Sequence, residues 1–356
     1  MHKSLQAIRK MPTFLVSTIV SLLAIVFALL VGAVLIALTG VDPWLAYWHF
    51  FYGIFGTLYG MGETLSKFVP MLFCALGFSL AQKSGFFNMG GEGQLYCGAI
   101  CAVLVGAYLP GITPAVHIAL AILAGFLGGA LCCAIAGAMK IFFRSSELLN
   151  TMMLNYIVTL LVAVLVSGAL KDPAGMMNQT KATLESAKLP IIFPGTRLHA
   201  GFIIVIVITV AVWFFFQRTT PGFEMRLSGI NPKAANYAGV NARKTLMLAI
   251  VISGGLAGMG GAIELIGNQY RLLEGFSSGY GFDAIGIAVM GQYHPVGIAL
   301  SAFLFAAMRV GAGAMQRGVG VPLPLVSILQ GIIIVSVIVS AYYVRKVSET
   351  VVGGRA

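Results

Sequence analysis

The sequence predicts an all-α integral membrane protein with about ten transmembrane helices, and three features of its composition lead to this fold class. Of its 356 residues, 59% are hydrophobic and 9% are charged, whereas soluble chains have about 45–50% and about 25%. The apolar residues gather in runs of roughly the 20 residues that a membrane span requires. Glycine occurs 44 times, which favours helices that pack closely or break within the bilayer. This composition excludes a soluble enzyme, a disordered chain and a secreted disulfide scaffold.

Apolar runs along the chain give the predicted spans of a single membrane domain, residues 1–356. The runs are residues 14–38, 64–82, 88–109, 115–140, 148–169, 200–216, 245–266, 280–292, 295–315 and 323–344. Most of the 22 Lys and Arg residues fall on the side of the N-terminus in this count. By the positive-inside rule both chain ends are therefore expected in the cytoplasm. Helices two to five and seven to ten would run in opposite senses, which favours a possible inverted repeat, as is common in transport proteins.

Two segments between the spans differ from them in character. Residues 44–60 are crowded with Trp, Tyr and Phe, and such rings favour the headgroup level of a bilayer. We expect an interfacial helix on the outer face there, with a deeper re-entrant helix as the alternative. Residues 171–199 are polar and are expected to form an extracytoplasmic loop.

A further polar stretch, residues 217–244, is expected to be a cytoplasmic loop that carries a docking element. Asn231 followed by Pro232 suits a helix N-cap with proline at the first helical position. Gly239 suits the end of a short helix over 232–238. Such a helix can dock into the groove of a partner protein. The alternative is an ordinary basic loop of the kind that the positive-inside rule places in the cytoplasm.

Four carboxylates lie in or against apolar runs: Glu92, Glu147, Glu264 and Asp283. A charge at membrane depth costs at least about 2.5–3.5 kcal/mol, so it usually faces the bundle interior or a water-filled path. Glu92 and Asp283 could instead cap helices that begin after glycines, and both roles stay open. For Glu147 we favour a solvated ion pair with Arg144 at the inner surface over a role in a pathway, because such surface pairs contribute little.

The glycine-rich stretch around Asn88 is the most suggestive feature of the sequence. Glycines let the backbone leave helical geometry and expose N–H and C=O groups that only a buried or water-lined site tolerates. Asn88, Glu92 and Gln94 would then offer donors and acceptors to a polar solute, and Phe86 and Phe87 would stack on a ring. The alternative is a close helix–helix contact.

Other patterns indicate structure rather than chemistry. Gly125-x-x-x-Gly129 and Gly254-x-x-x-Gly258 are interpreted as helix-packing motifs. The five cysteines lie in apolar runs and are interpreted as small buried hydrophobic residues rather than metal ligands or disulfides. The sequence holds no G-x-x-x-x-G-K-[ST] loop for ATP. We expect no metal site and no nucleotide site in this chain.

Four stretches of the chain resemble the permeases of nucleoside and simple-sugar ABC importers. Residues 87–94, Phe-Asn-Met-Gly-Gly-Glu-Gly-Gln, are similar to the family signature F-N-I-G-x-E-G-Q. Residues 151–157 are similar to T-x-M-L-N-Y-I, and residues 281–285 to G-F-D-G-I-A. Residues 224–239 resemble the family segment E-L-R-A-x-G-x-N-x-x-A-A-x-x-A-G. Departures at Met89, at Gly91 and at Ser145-Ser146-Glu147 leave the choice of substrate open.

The resemblance implies a multi-pass subunit of the bacterial inner membrane that is not itself an enzyme. Its expected partners are a second permease in a heterodimer, two ABC ATPase subunits, an extracytoplasmic substrate-binding lipoprotein and the lipid bilayer. The ATPases, and not this chain, would use ATP with Mg²⁺. No nucleic-acid partner is expected, because the basic residues follow the membrane sides.

The resemblance also implies roles for individual residues. The residues expected along the translocation path are Phe86, Phe87, Asn88, Glu92, Gln94, Asn155, Phe282 and Asp283. The residues expected to couple the chain to its ATPase are Arg226, Asn231, Pro232, Ala235, Tyr237, Ala238 and Gly239. Nucleosides are the expected solutes. The alternatives are ribose-like monosaccharides or, in a different class, proton-coupled secondary transport through Glu92 or Asp283.

Overall fold

The computed structural model describes residues 26–339, except 28, 176, 323, 326, 329, 333, 337 and 338. The helices are α1 (Leu29–Leu38), α2 (Pro43–Phe55), α3 (Leu58–Lys83), α4 (Gly91–Tyr108), α5 (Pro114–Phe143), α6 (Glu147–Ser167), α7 (Gly201–Arg218), α8 (Thr220–Ile230), α9 (Pro232–Tyr237), α10 (Ala242–Glu264), α11 (Tyr280–Met290) and α12 (Pro295–Val319). A 3-10 turn forms at Glu185–Ala187, a π-helical turn at Leu265–Gln269, and further helical residues lie between 324 and 339. Within the described residues, β-structure is limited to isolated bridges. The predicted all-α class is confirmed.

Six helices of the described chain are long and apolar enough to cross a membrane: α3, α5, α6, α7, α10 with its π-helical turn, and α12. Two shorter apolar helices, α1 and α11, accompany them. The predicted span over 14–38 is described only in its second half, and the span over 323–344 extends beyond the described residues.

The described chain forms two compact units, residues 61–306 and residues 26–60 with 307–339. In the larger unit, α5 and α10 pack through their glycine motifs. A Cβ on Gly129 would overlap the carbonyl oxygen of Gly254, and a Cβ on Gly258 would overlap that of Gly125. The predicted packing role of both motifs is confirmed, because only glycine lets the two backbones approach this closely.

The predicted span over 88–109 begins too early. The structure starts α4 at Gly91, and residues 84–90 are non-helical. The first turns of α4 are buried, including the polar Glu92 and Gln94. This helix is a core element of the larger unit rather than one of the six candidate spans.

The aromatic segment 44–60 is two helices rather than one. Asp42 caps α2, its Oδ1 accepting the Trp44 N–H at 2.9 Å, and Pro43 follows the cap. The helix ends at Phe55, and Tyr59 belongs to the next helix, α3. Several aromatic side chains of this segment are exposed, among them Trp44 at 80% and Trp48 at 61%.

The segment 217–244 contains one helix that the sequence predicts and one that it does not. α9 begins behind Asn231, whose Oδ1 accepts the Lys233 and Ala234 N–H groups at 3.1 Å, as predicted. α8, in contrast, lies in a part of this loop for which the sequence analysis predicts no helix. Thr219 caps it by accepting the Gly222 N–H at 3.2 Å.

The polar segment between α6 and α7 is ordered against the loop that follows α10. Backbone hydrogen bonds join Thr180 to Leu272 at 2.9 Å and Thr183 to Tyr270 at 2.8 Å. Arg271 donates to Asp172 Oδ2 at 2.8 Å, and this guanidinium lowers the pKa of the Asp172 carboxyl. The predicted loop is therefore a folded cap on α10.

Candidate functional site

The candidate site is the break between α3 and α4. The chain turns at Gly85, which has a φ of +84°, a backbone conformation that glycine adopts without strain. The Phe86 N–H returns to the Ala81 carbonyl at 3.0 Å and closes the end of α3. The residues after this turn run into the protein interior, where Asn88 is 3% exposed.

The side chains of Asn88 and Gln94 bind one another in both directions. Asn88 Nδ2 donates to Gln94 Oε1 at 2.9 Å, and Gln94 Nε2 donates to Asn88 Oδ1 at 2.8 Å. Asn88 also donates to Ser253 Oγ at 2.9 Å and accepts the Gly90 N–H at 3.0 Å. Buried amides satisfied in this way rigidify the surrounding structure, so this pair fixes the break against α10.

Asn155 on α6 holds the start of α4 from another side. Its Oδ1 accepts the Gly93 N–H and its Nδ2 donates to the Met89 carbonyl, both at 2.8 Å. The first N–H groups of a helix have no partner within the helix. The side chain of Asn155 therefore acts as a cap that comes from a different helix.

The carboxylate of Glu92, in the first turn of α4, caps a second helix, α11. Its Oε2 accepts the Gly281 N–H at 2.8 Å, which belongs to the first turn of α11. A carboxylate at a helix N-terminus is favoured by the orphan donors and by the helix dipole. The helix α11 begins at Tyr280, and its N-cap residue is Gly279. Asp283 therefore lies within the first turn.

Three aromatic side chains and one carboxylate of the predicted path, Phe86, Phe87, Phe282 and Asp283, differ in their exposure. Phe86 is fully buried in a core cluster with Cys133 and Ile250. Phe87 is half-buried with its ring edge-on to Phe78, the centroids 5.3 Å apart. Phe282 is 43% exposed, and Asp283 is half-buried. The structure thus brings Asn88, Glu92, Gln94 and Asn155 together at the start of α4 and places Phe86 in the hydrophobic core.

The predicted pair of Glu147 with Arg144 is wrong. Glu147 Oε1 instead accepts from Lys140 Nζ at 2.8 Å, and Arg144 is the left-handed C-cap of α5. Lys140 Nζ also donates to the Gly85 carbonyl at 3.0 Å. The pair therefore holds the turn before the break.

Glu264 lies at the end of α10 and is 1% exposed. Its Oε1 accepts from Asn268 Nδ2 at 2.8 Å and from Gln269 Nε2 at 3.3 Å. The π-helical turn brings both amides to the carboxylate, and Gln269 also donates to the Phe276 carbonyl at 2.8 Å. Glu264 therefore holds the π-helical turn against the C-terminal end of α10.

The residues expected to contact an ATPase lie on α8 and α9. Tyr237 is 94% exposed, whereas Ala235 is fully buried. Gly239 has a φ of +84° and ends α9 as predicted, with Ala238 as the C-cap. Arg226 lies on α8 and is half-buried. One face of α9 is therefore buried at Ala235, and Tyr237 is exposed.

Two contributors to this region were not predicted: Ser253 and Lys140. Ser253 lies 165 residues from its partner Asn88, and no local pattern distinguishes it. Lys140 lies in the last turn of the apolar helix α5. Lysines are common at the cytoplasmic ends of apolar helices, so the sequence does not mark this one as part of a site. Within the described residues, no group of three or more His, Cys, Asp or Glu side chains is arranged to hold a metal ion.

In the described part of the chain, six helices have the length and apolar character of membrane spans, and a buried, hydrogen-bonded break lies between α3 and α4. These features are typical of a multi-pass membrane protein. The chain belongs to the family of branched-chain amino acid transport system permease components, whose model matches residues 60–338. It is a permease component of a transporter and not an enzyme.

Named relatives cover nearly the whole chain. It is 36% identical to the guanosine ABC transporter permease NupP of Bacillus subtilis, over 92% of this chain and 95% of that protein. It is 33% identical to the nucleoside ABC transporter permease NupB of Lactococcus lactis, over 89% of both. It is 30% identical to the glucose ABC transporter permease TsgB13 of Haloferax volcanii, over 91% of this chain and 87% of that protein. The first two organisms each hold a second, more distant relative with the same kind of name, 28% and 26% identical.

Proposed function

We propose that this chain is a permease subunit of a nucleoside ABC importer. The observation that carries the proposal is the 36% identity to a guanosine permease over 92% of the chain, together with a second nucleoside permease at 33%. The glucose permease at 30% keeps a monosaccharide importer as the second candidate. Family membership disfavours the proton-coupled secondary transporter.

The topology we propose has both chain ends in the cytoplasm and about ten membrane passes. Residues 171–199 then lie outside the cell, residues 217–244 inside, and the aromatic segment 44–60 at the outer interface. A single cysteine at Asn178 and one at Tyr237, both exposed positions, test this topology. A membrane-impermeant maleimide is expected to label Asn178→Cys, and not Tyr237→Cys, in intact spheroplasts. Labelling of Tyr237→Cys from outside would contradict it.

The translocation path, in this proposal, runs past the start of α4. Asn88, Gln94 and Asn155 hold the break rigid, because their amides are paired within the protein. Phe87, Phe282 and Asp283 are less buried and offer ring and carboxylate contacts to a polar solute. Glu92 fixes the start of α11 beside them. Phe86 packs in the hydrophobic core behind these residues and supports them.

Energy reaches the path from partner subunits. The exposed face of α9, with Tyr237, docks into an ABC ATPase, and Asn231, Pro232 and Gly239 keep this helix short and rigid. ATP with Mg²⁺ closes the ATPases, which moves α9 and opens the path outward. A substrate-binding lipoprotein then delivers the solute, and hydrolysis restores the inward-facing state.

A second permease completes the path on the other side, so the complex is a heterodimer of permeases in the bacterial inner membrane. The paired relatives in Bacillus subtilis and Lactococcus lactis support this arrangement. In each organism two related chains carry the name of an ABC permease for guanosine or nucleosides.

Uptake of labelled nucleosides by the native host and by a strain that lacks this chain tests the proposal. We expect loss of uptake in the deletion strain, rescue by the wild-type chain, and competition by unlabelled nucleosides but not by ribose or glucose. Uptake in the wild type should survive a proton uncoupler and be lost when the partner ATPase is inactivated. Competition by a monosaccharide alone would favour the sugar importer, and sensitivity to the uncoupler alone would contradict the ABC assignment.

A further inference from the structure

Helix α8 touches two long helices, each through a glycine. A Cβ on Gly222 would overlap the Phe215 carbonyl in α7, and a Cβ on Gly229 would overlap the Lys83 carbonyl at the end of α3. Met225, between the two glycines, is fully buried. At both ends of α8, therefore, its backbone contacts the backbone of a neighbouring helix directly. No side chain lies between them that could absorb a displacement.

The contact of Gly229 lies at the turn that opens the candidate site. Lys83 ends α3, and Gly85 follows with its φ of +84°. A Cβ built on Gly85 would lie 3.5 Å from the Gly229 Cα. Asn88, with its buried amide pair, is only three residues beyond Gly85. A shift of α8 toward α3 therefore presses directly on the segment that carries Asn88.

The same turn is held from its other side. Lys140 Nζ donates to the Gly85 carbonyl at 3.0 Å and to Glu147 Oε1 at 2.8 Å. Glu147 begins α6, whose Asn155 binds the Gly93 N–H at 2.8 Å. The turn at Gly85 is thus linked by hydrogen bonds to the start of α4 as well as to α5 and α6.

Helix α9 is joined to α8 by a single residue. The Asn231 N–H donates to the Leu227 carbonyl at 3.1 Å, and its Oδ1 accepts the Lys233 and Ala234 N–H groups at 3.1 Å. Asn231 is therefore the C-cap of α8 and the N-cap of α9 at once. A force on the exposed face of α9 is passed to α8 through hydrogen-bonded backbone.

We infer that Gly229 is the positioning residue through which movement of α9 reaches the 84–90 segment. The inference rests on the proposed function, in which an ATPase moves α9. Packed helices switch between discrete arrangements rather than deform continuously, so a tight backbone contact transmits displacement with little loss. A Cβ at position 229 separates α8 from α3 and breaks this transmission.

The test uses the complete transporter, purified with its ATPase and permease partners, with Gly229→Ala and the matched control Gly331→Ala. Gly331 is an exposed helical glycine, and among the described residues no atom lies within 4 Å of a Cβ built on it. For Gly229→Ala we expect the ATPase to copurify, while the ratio of nucleoside-stimulated to basal ATP hydrolysis falls by about tenfold, within the range of allosteric couplings. Gly331→Ala should keep the wild-type ratio. An unchanged ratio in Gly229→Ala would overturn the inference.

Amide hydrogen exchange in the wild-type complex gives a second readout, which decides alone if Gly229→Ala fails to assemble. Trapping the ATPases with ATP and vanadate should change the exchange of peptides covering residues 84–90 together with those of α9. A change in α9 alone would contradict transmission through Gly229. If the wild-type complex shows no nucleoside-stimulated hydrolysis at all, the proposed function fails instead, so the two failures are distinguishable.

Discussion

Glu92 Oε2 accepts a hydrogen bond of 2.8 Å from the backbone N–H of Gly281, so a carboxylate in the first turn of α4 caps the first turn of α11. The two turns touch through glycine as well, since a Cβ on Gly91 would lie 3.2 Å from the Gly281 carbonyl. The glycine-containing turns that begin α4 and α11 therefore meet. The sequence offered pathway and capping as alternatives for Glu92, and the geometry gives it a cap on a neighbouring helix.

Replacement of Glu92 should separate its roles. Glu92→Ala leaves the buried Gly281 N–H without this acceptor and should destabilise the permease by about 1–3 kcal/mol. Glu92→Gln keeps a carbonyl oxygen in place, so its loss should be clearly smaller. Thermal unfolding of the purified permease in detergent measures both. Equal unfolding temperatures for the wild type and Glu92→Ala would show that the cap does not stabilise the fold.

The amide pair of Asn88 and Gln94 should behave as one unit. Asn88→Leu leaves Gln94 unpaired in the core and should weaken uptake while the ATPase still copurifies. Replacing both partners of a buried hydrogen bond costs less than removing one. The double variant with Gln94→Leu should therefore lose less stability than the two single losses added together.

Copurification, uptake and thermal unfolding of the two single variants and the double variant form the test. Additive losses of stability would contradict the pairing. Loss of assembly in Asn88→Leu would indicate a packing role for the break and not a role in transport.

Tyr237→Asp should uncouple the transporter. The side chain is 94% exposed, so the change leaves the isolated permease intact but places a charge on the proposed docking face. We expect normal membrane insertion with loss of nucleoside uptake, measured in the same cells. Tyr237→Phe retains the ring and should transport normally. Full uptake by Tyr237→Asp would remove α9 from the ATPase contact.

His199 should make stability depend on pH. Its ring is fully buried, Nδ1 accepts the Gly201 N–H at 3.2 Å, and burial lowers the pKa of His199 to about 4, from about 6.5 in an unfolded chain. Between these values the unfolded chain binds a proton and the folded chain does not. The stability from neutral His199 is therefore complete above about pH 6.5 and falls, by about 3 kcal/mol in total, as the pH drops to about 4.

Unfolding temperatures at neutral and acidic pH measure this dependence. His199→Gln keeps an acceptor near Gly201 but does not titrate, so its unfolding temperature should fall less on acidification than that of the wild type. Identical falls in the two proteins would assign the acid sensitivity to other groups.

The sequence predicts this structure best where a few adjacent residues decide the geometry. Asn231, Pro232 and Gly239 cap, start and end α9 as predicted, because capping depends on local donors and acceptors. The bond of Asn88 to Ser253 spans 165 residues and depends on how α4 and α10 pack. Local sequence has no information on that packing.

The errors have similar causes. The sequence analysis did not predict α8 because its polar residues and glycines resemble those of a loop. In the structure these glycines allow close backbone contacts with α7 and α3. Glu147 pairs with Lys140, one turn before the end of α5, whereas Arg144 occupies the left-handed C-cap. Proximity along the chain suggested the wrong partner, because the end of a helix redirects the backbone.

Copurification of this chain from its native membrane, followed by mass spectrometry and an ATPase assay with a panel of nucleosides and sugars, tests the central claim most directly. The account predicts an ABC ATPase and a second permease in the preparation, with hydrolysis stimulated by nucleosides when the binding lipoprotein is present. A preparation without an ATPase, whose vesicles nevertheless take up solute in response to a proton gradient, would contradict it.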